Sequence, residues 1–239
     1  MTINWVYLKN YPIFEQLQLE EALLRTDHQN WCIVNEGSSQ KAIVMGISGK
    51  MEQLVDQALL QEKPIPIIRR FTGGGTVIVD DQTLFITFIC QGKTFPAPVS
   101  PQSIMNWTES LYLPVFEHPQ FRMLENDYII GDHKVGGNAQ YIQKDRWLHH
   151  TSFLWEYDPG NMDYLLLPTK TPLYRKKRKH SDFLTSLKTF YNSPQQIINR
   201  LYEELSMKFG SIQSFSLEQL LLQMPSSIYR KSTAYIYQS

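Results

Sequence analysis

Three consecutive glycines between two strand-like runs are the first residues with a plausible chemical role. They occupy positions 73–75 of the stretch RRFTGGGTVIVD, residues 69–80, just after Arg69 and Arg70. Glycine weakens a strand because it adds backbone freedom and no packing side chain. Successive inward N–H groups can instead form a concave nest for an anion, and arginine adds bidentate phosphate contacts. Because adjacent strand side chains face opposite ways, we expect only one arginine to face the ligand.

Taken alone, this stretch is more typical of a glycine-rich hairpin, since it fits neither the Walker nor the Rossmann pattern. A second stretch supports the anion site: NDYIIGDHKVGGNAQ, residues 126–140, places Lys134 just before the pair Gly136-Gly137. A lysine flanked by glycines can reach into a cleft as a point charge, although most lysines are solvated surface residues.

Two adjacent histidines, His149 and His150, lie in the stretch WLHHTSFLW. On a strand they face opposite ways, so they cannot easily ligate one metal ion. We expect one in the core or hydrogen-bonded and the other facing a cleft. The two cysteines, Cys32 and Cys90, each lie in an apolar stretch. They are interpreted as buried free thiols, because their spacing fits neither a disulfide framework nor a zinc site.

Length and composition describe a single globular unit. The chain has 239 residues, 42% of them hydrophobic, with 23 basic and 23 acidic side chains. Balanced charge argues against a basic nucleic-acid binder. No cationic leader with a cleavage site is present, and no apolar run approaches the roughly 20 residues of a membrane helix. We therefore expect a cytoplasmic protein that binds neither nucleic acid nor membrane.

Strand and helix patterns come in clusters, which favours an α+β fold with mostly antiparallel sheets flanked by helices. MEQLVDQALLQEK (51–63) is predicted as one helix, SPQSIMNWTESLYL as a capped helix, and residues 127–157 as three strands. SPQQIINRLYEELSMKFG predicts a helix with Ser193 as N-cap, and a shorter helix follows it. Residues 175–180, RKKRKH, are predicted as an exposed loop, because so many charges cannot be buried unpaired.

These motifs, in this order, resemble the lipoate–protein ligase A family within the biotin/lipoate ligase superfamily. LQLEEALLR resembles the family's first helix, and RRFTGGGTV its Arg-Arg-x-Ser/Thr-Gly-Gly-Gly loop. NDYIIGDHKVGGNAQ resembles its Asn-Asp and Gly-Asp-x-Lys segment, and LHHTSFL its His-His strand. The resemblance runs from the first helix to about residue 187. It implies the class II ligase-like catalytic domain over residues 1–239, with a helical extension at about 193–239 and no accessory domain.

The resemblance implies that the protein activates lipoate with ATP to lipoyl-adenylate and passes the lipoyl group to a lysine of an apo lipoyl domain. Lys134 would be the catalytic residue that binds the phosphate and acyl carbonyl. Asp127 would lie near Mg²⁺. The implied ligand-binding residues are Arg70, Gly73, Gly74, Gly75, Thr76, Val77, Ile78, Asn126, Asp127, Lys134, Gly137, Ala139 and His150.

The implied acceptors are the E2 subunits of 2-oxoacid dehydrogenases and the glycine cleavage H protein. Many family members carry a further small C-terminal domain needed for activation, so a separate accessory protein is a further implied partner. Three alternatives stay open. The protein could transfer preformed lipoyl-adenylate, act as an octanoyl- or lipoyl-transferase through a cysteine nucleophile, or bind ligand without catalysis.

Overall fold

Two β-sheets of unequal size form the framework of the molecule. The computed structural model describes residues 1–94, 98–167, 172–176, 178–224 and 231–238. The strands, in chain order, are β1 (Thr2–Lys9), β2 (Trp31–Glu36), β3 (Ala42–Met45), β4 (Ile67–Arg69), β5 (Val77–Val79), β6 (Thr83–Gln91), β7 (Phe121–Leu124), β8 (Asp127–Ile130), β9 (His133–Gln143), β10 (Arg146–Leu154), β11 (Ser211–Phe215) and β12 (Ala234–Tyr237). The helices are α1 (Ile13–Thr26), α2 (Met51–Leu54), α3 (Gln57–Glu62), α4 (Pro101–Phe116), α5 (His180–Phe183), α6 (Pro194–Phe209) and α7 (Leu217–Gln223).

The large sheet has the order β11-β1-β2-β6-β10-β9-β8-β7, and the small sheet has the order β12-β4-β3-β5. Neighbours from β2 through β7 pair antiparallel, whereas β1 pairs parallel with both β2 and β11, and β3 pairs parallel with β4. The predicted α+β class with mostly antiparallel sheets is confirmed.

Helix α1 packs against both sheets. Its first turns place Ile13 and Leu17 against Val44 of the small sheet and Phe85 of the large one, whereas Leu23 packs on the large sheet beside Leu148. Helices α4 and α6 pack against each other over the large sheet and form the main aromatic core. The two sheets are therefore held in a fixed relation, and any loop between them is supported on both sides.

The predicted cap of α4 is confirmed. Ser100 accepts a hydrogen bond from the Ser103 amide, and Ser103 returns one, as in a capping box. Gly210 ends α6 in the left-handed conformation (φ 76°), and Ser193 occupies the N-cap position without a side-chain capping bond.

The single helix predicted over residues 51–63 is wrong. Two short helices, α2 and α3, lie there instead. Val55 between them is fully buried and forms a β-bridge to Leu165, while the Asp56 side chain accepts from the Leu59 amide and starts α3. A filled N-cap restarts the helix, and burial of Val55 through a bridge competes with a continuous helical ladder.

The C-terminal region contains more than the two predicted helices. Strand β11 joins the large sheet beside β1, and β12 joins the small sheet beside β4. The Glu21 carboxylate, almost fully buried in α1, accepts hydrogen bonds from the amides of Ser232 and Thr233 and pairs with Arg25 at 2.9 Å. Helix α1 thus anchors β12 next to the strand that leads into the glycine stretch. Among the described residues, no helix is long and apolar enough to cross a membrane.

Candidate active site

The glycine stretch connects β4 to β5 and rests on β9 of the large sheet. Gly74 has φ 103°, and a Cβ there would lie 2.8 Å from Arg70 Nη2 and 3.3 Å from the Asn138 carbonyl oxygen. Only glycine meets both requirements without strain. A Cβ at Gly73 or Gly75 would meet nothing within 4 Å. The backbone here is therefore packed on one side and open on the other, as an approaching ligand requires.

Arg70 organises this loop from behind. Its side chain is buried and donates to the carbonyl oxygens of Gly73 (2.9 Å) and Gly75 (2.8 Å), to Thr72 Oγ1 (2.9 Å) and to the Val44 carbonyl oxygen (3.2 Å). Burial lowers the pKa of the Arg70 guanidinium to about 10, so it remains charged at neutral pH. The carbonyl oxygens of Gly73 and Gly75, which would repel an anion, thus accept hydrogen bonds from the Arg70 guanidinium.

Lys134 lies on β9, and an ion pair holds its ammonium group in place. Its Nζ is 2.7 Å from Asp127 Oδ1 on the neighbouring strand β8. A Cβ on Gly137 would come within 3.2 Å of the same Nζ, so glycine leaves the ammonium its place. Asn126, in the left-handed conformation (φ 72°) that asparagine tolerates, forms the turn into β8 and accepts from Asn138 Nδ2.

The covering segment, residues 172–176 and 178–183, lies over this side of the site. The Tyr174 hydroxyl donates to Asp127 Oδ2 at 2.8 Å, and the amides of Leu173 and Tyr174 donate to the Glu125 carboxylate. Burial, and next the negative charge of Asp127, raise the pKa of Tyr174, so the phenol stays protonated and remains a donor. Three hydrogen bonds therefore join the segment to Glu125 in the turn before β8 and to Asp127 at the start of β8.

The exposed loop predicted for residues 175–180 is wrong in part. Arg175 is only 5% exposed, and its guanidinium carbon lies 4.7 Å from the centre of the Phe183 ring. Arg178 stacks on the same ring and donates to the carbonyl oxygens of Asp132 and Tyr174. Cation–π stacking and internal carbonyls thus replace water around two arginines of the run. Lys176 and Lys179 are exposed, and Lys177 lies outside the described residues.

Arg70, the glycine stretch, Asp127, Lys134 and Arg175 line one cavity of about 780 Å³. Every residue for which the resemblance implies ligand binding lines it, from Arg70 and the glycine stretch to Lys134, Asp127 and His150. One part of the wall is apolar and is formed by Val44, Val79, Phe85, Leu154, Met162 and Leu165. The cavity combines an open glycine-rich backbone, cations and an apolar surface, so it can hold an anion joined to a hydrocarbon chain.

His150 lines the cavity and contacts a buried network of hydrogen-bonded polar side chains. Its Nδ1 lies 3.0 Å from Glu20 Oε1, and Glu20 also accepts from Thr87 Oγ1 and Gln16 Nε2. Gln16 in turn accepts from Asn35, and the Glu20 side chain is completely buried. Such a network fixes the imidazole because each member has its partners.

A sequence profile described as the lipoyl protein ligase A/B catalytic domain matches residues 12–206. The chain belongs to this family. The matched region contains the whole cavity wall described above, from Ile13 on α1 to Leu184 after α5.

Two relatives are similar to this chain in sequence. The inactive lipoate–protein ligase 2 of Plasmodium falciparum is 29% identical over 85% of this chain and 68% of its own length. The lipoate–protein ligase A of Blochmanniella floridana is 28% identical over 73% of this chain and 51% of its own. The chain therefore spans between half and about two thirds of these two proteins.

Solved structures show the same fold. The lipoate–protein ligase of Thermoplasma acidophilum, part of a bi-partite enzyme studied with its E2 lipoyl domain, superposes with a TM-score of 0.76 at 18% identity, covering 94% of this chain and 90% of its own. A lipoate–protein ligase A bound with ATP gives a TM-score of 0.75 at 16% identity, covering 94% and 92%. The predicted lipoate ligase-like fold is confirmed.

Sequence reasoning missed several residues of this family site. Tyr174 directly precedes the charged run at 175–180, and Arg175 begins it, so both were predicted to be exposed. The only signal for burial in the sequence was the aromatic Phe183, eight residues after Arg175. Glu20 lay within the recognised first helix, but nothing in the helical pattern assigns it to His150. Each of these residues acquires its role through contacts across more than one element.

The paired histidines behave as predicted, with His150 on the cavity and His149 in the core. His149 is fully buried between Tyr128 Oη at 3.0 Å and Gln140 Nε2 at 3.2 Å. Burial, with a smaller contribution from His150, lowers the pKa of His149 to about 3. The native protein therefore holds a neutral imidazole across the mildly acidic range.

Because an unfolded histidine takes up a proton near pH 6.5, stability should fall as the pH drops from 6.5 toward 3. One such proton contributes a slope of about 1.4 kcal/mol per pH unit. Urea unfolding at pH 7, 6 and 5 measures this loss in the free energy of unfolding. We expect His149→Gln to reduce its pH slope by about 1.4 kcal/mol per pH unit. The exposed His28→Gln is the matched control. Parallel curves for wild type and His149→Gln would contradict a neutral, buried His149.

Proposed function

We propose that this protein is a lipoate–protein ligase that forms lipoyl-adenylate from lipoate and ATP and transfers the lipoyl group to a lysine. The observation that carries the proposal is the single cavity lined by the glycine stretch, Lys134 and an apolar wall. The family and the ATP-bound ligase of the same fold support it. An amide nest with cations suits the nucleotide phosphate, and the apolar wall suits an acyl chain.

In the first step an oxygen of the lipoate carboxylate attacks the α-phosphorus of ATP, and the bond to pyrophosphate breaks. Two anionic groups must approach, so the barrier depends on nearby positive charge. Lys134 supplies an ammonium, and the loop amides at 73–76 supply fixed dipoles that Arg70 keeps oriented. Preorganised groups of this kind need no rearrangement during the reaction.

Magnesium would enter the site with the phosphates of ATP. Among the described residues, no group of three or more His, Cys, Asp or Glu side chains could hold a metal ion. Asp127 has Oδ1 on Lys134 and Oδ2 on Tyr174. Mg²⁺ commonly uses one or two carboxylates together with substrate phosphates. Each Asp127 oxygen has one partner and keeps a further lone pair, so a metal contact is compatible with both partners and stays a prediction.

In the second step the amine of an acceptor lysine attacks the acyl carbonyl, and the bond to AMP breaks. The mixed anhydride is already activated, so no protein nucleophile is needed. Lys134 can stabilise charge on both the acyl oxygen and the departing phosphate. The proposed acceptors are apo lipoyl domains of 2-oxoacid dehydrogenase E2 subunits and the glycine cleavage H protein. The bi-partite ligase of the same fold supports a separate accessory protein as a further partner.

A transferase that acts only on preformed acyl-adenylate is the second candidate. It is favoured by the relative named as an inactive ligase, with which 85% of this chain aligns. A cysteine-dependent transferase is disfavoured by geometry. Cys32 and Cys90 are completely buried, neither lines the cavity, and burial raises the pKa of both thiols, so neither forms a thiolate nucleophile readily.

Lipoate-dependent exchange between ATP and labelled pyrophosphate tests the proposal directly. Exchange that depends on lipoate supports the ligase. Absence of exchange, with lipoylation of an apo lipoyl domain from supplied lipoyl-adenylate, overturns the ATP-dependent step and supports the second candidate. Transfer from an acyl-carrier protein that is lost in a Cys→Ser variant would support the cysteine route. Failure of all three reactions would leave a non-catalytic binder.

A further inference from the structure

The Arg175 guanidinium lines the cavity with two nitrogens unpaired. Its Nε donates to the Arg178 carbonyl oxygen at 3.0 Å, and its plane stacks on Phe183. Nη2 is buried without a hydrogen-bond partner, and no described residue accepts from Nη1 either. A side chain that is 5% exposed and carries a full charge is costly to bury with most of its N–H donors unused. The fork therefore needs an acceptor that the described residues do not supply.

The nearby acidic groups are already engaged. Asp127, whose charge reaches Arg175, accepts from Lys134 through Oδ1 and from Tyr174 through Oδ2. Glu125 accepts from two backbone amides of the covering segment. The local anions are thus matched to other donors, and Arg175 is a surplus cation on the wall that carries Lys134.

A second unpaired donor lies on the loop side of the same cavity. The Thr76 hydroxyl, directly after the glycine stretch, is buried and has no hydrogen-bond partner among the described residues. An unpaired buried polar group calls for an explanation, such as a water, an ion or a ligand. Thr76 on the loop and Arg175 on the covering segment thus each carry a buried, unpaired polar atom, and both residues line one cavity.

We propose that Arg175 binds a non-bridging phosphate oxygen of the acyl-adenylate, as a second cation beside Lys134. A planar fork whose Nη1 and Nη2 bond to no described residue matches tetrahedral phosphate oxygens, and charge-assisted bonds of this kind are the strong ones. Tyr174 and Glu125 position the fork by anchoring the covering segment to the turn before β8. Arg175 is then a binding residue for the phosphate, delivered by the segment that closes one side of the site.

This inference rests on the proposed function, because it assigns the anion in the same cavity to a nucleotide phosphate. The lipoate carboxylate is the other anion that a guanidinium fork could take. The two sources differ in a measurable way. A phosphate contact discriminates AMP from adenosine, whereas a carboxylate contact discriminates lipoate from lipoamide.

Calorimetric titration of the full chain with AMP, adenosine, lipoate and lipoamide tests the assignment. We expect Arg175→Gln to weaken AMP binding by about ten- to a hundredfold, as for loss of a charge-assisted bond, with adenosine binding unchanged. Arg175→Lys should recover only part of the loss, because it keeps the charge and not the fork. The exposed Lys179→Gln, on the same segment, should bind both nucleotides as the wild type does.

Several outcomes would overturn the inference. Equal weakening of AMP and adenosine would indicate that Arg175 only supports the segment, and unchanged AMP binding would remove it from the phosphate. Loss of the preference for lipoate over lipoamide would assign it to the carboxylate. If AMP preference survives Arg175→Gln and disappears in Lys134→Ala, only this inference fails. A wild-type protein without preference for AMP over adenosine would overturn both the inference and the proposed nucleotide site.

Discussion

Lys134→Ala is expected to lower the rate of lipoyl-adenylate formation and of lipoyl transfer by at least about a hundredfold, which is the usual effect of removing one preorganised stabilising group. The physical reason is that the ammonium, 2.7 Å from Asp127, is a cation of the cavity wall whose side chain is still partly open to solvent. Its loss removes positive charge and leaves Asp127 facing the substrate phosphate. Pyrophosphate exchange and single-turnover transfer from lipoyl-adenylate measure the two steps separately.

The fold should survive this change, since Lys134 contributes little apolar packing and its strand is paired on both sides. The exposed pair of Lys188 with Glu156, also at 2.7 Å, offers a matched control: Lys188→Ala removes an equally close ion pair outside the cavity. We expect that variant to keep full activity. Rates near wild type for Lys134→Ala, with an unchanged melting temperature, would show that the ammonium is not part of the reaction.

Arg70→Lys is expected to weaken ATP binding by roughly tenfold or more and to destabilise the protein by about 2 kcal/mol. The guanidinium donates to the carbonyl oxygens of Gly73, Gly75 and Val44 at once, and a lysine cannot reproduce that fork. Each charge-assisted bond to a buried acceptor contributes about 1.5–3 kcal/mol. The freed carbonyls would turn toward the phosphate. For a chain of this size, about 2 kcal/mol lowers the Tm by roughly 4–8 °C.

Thermal unfolding and ATP titration of Arg70→Lys measure the two effects. Arg69→Lys is the natural comparison, because the adjacent side chain does not line the cavity and, among the described residues, makes only a long hydrogen bond, 3.4 Å, to the Gly49 carbonyl oxygen. Unaltered ATP affinity in Arg70→Lys would mean that the loop keeps its shape without the fork. Equal effects in the two variants would show that the loss does not depend on the contacts of Arg70 to the loop carbonyls.

Local sequence determined a large part of this protein. The Ser100 and Gly210 boundaries, the alternating strands of residues 127–154 and the glycine stretch follow from short-range backbone preferences. The two motifs 69–80 and 126–140 also carry enough chemistry to predict that they serve one ligand. The break at Val55 shows the limit of such patterns, because a buried bridge to Leu165, 110 positions away in the chain, overrode the helical periodicity.

The assembly of the cavity was decided by tertiary structure. Gly74 meets Asn138, Glu20 meets His150, and Tyr174 meets Asp127, and in each pair the partners come from separate elements. Charge pattern alone placed Arg175 in solvent. Packing against Phe183 and the Arg178 carbonyl gave it a buried position on the cavity wall. Burial of a charge depends on the neighbours that the fold provides, and no local pattern of lysines and arginines contains that information.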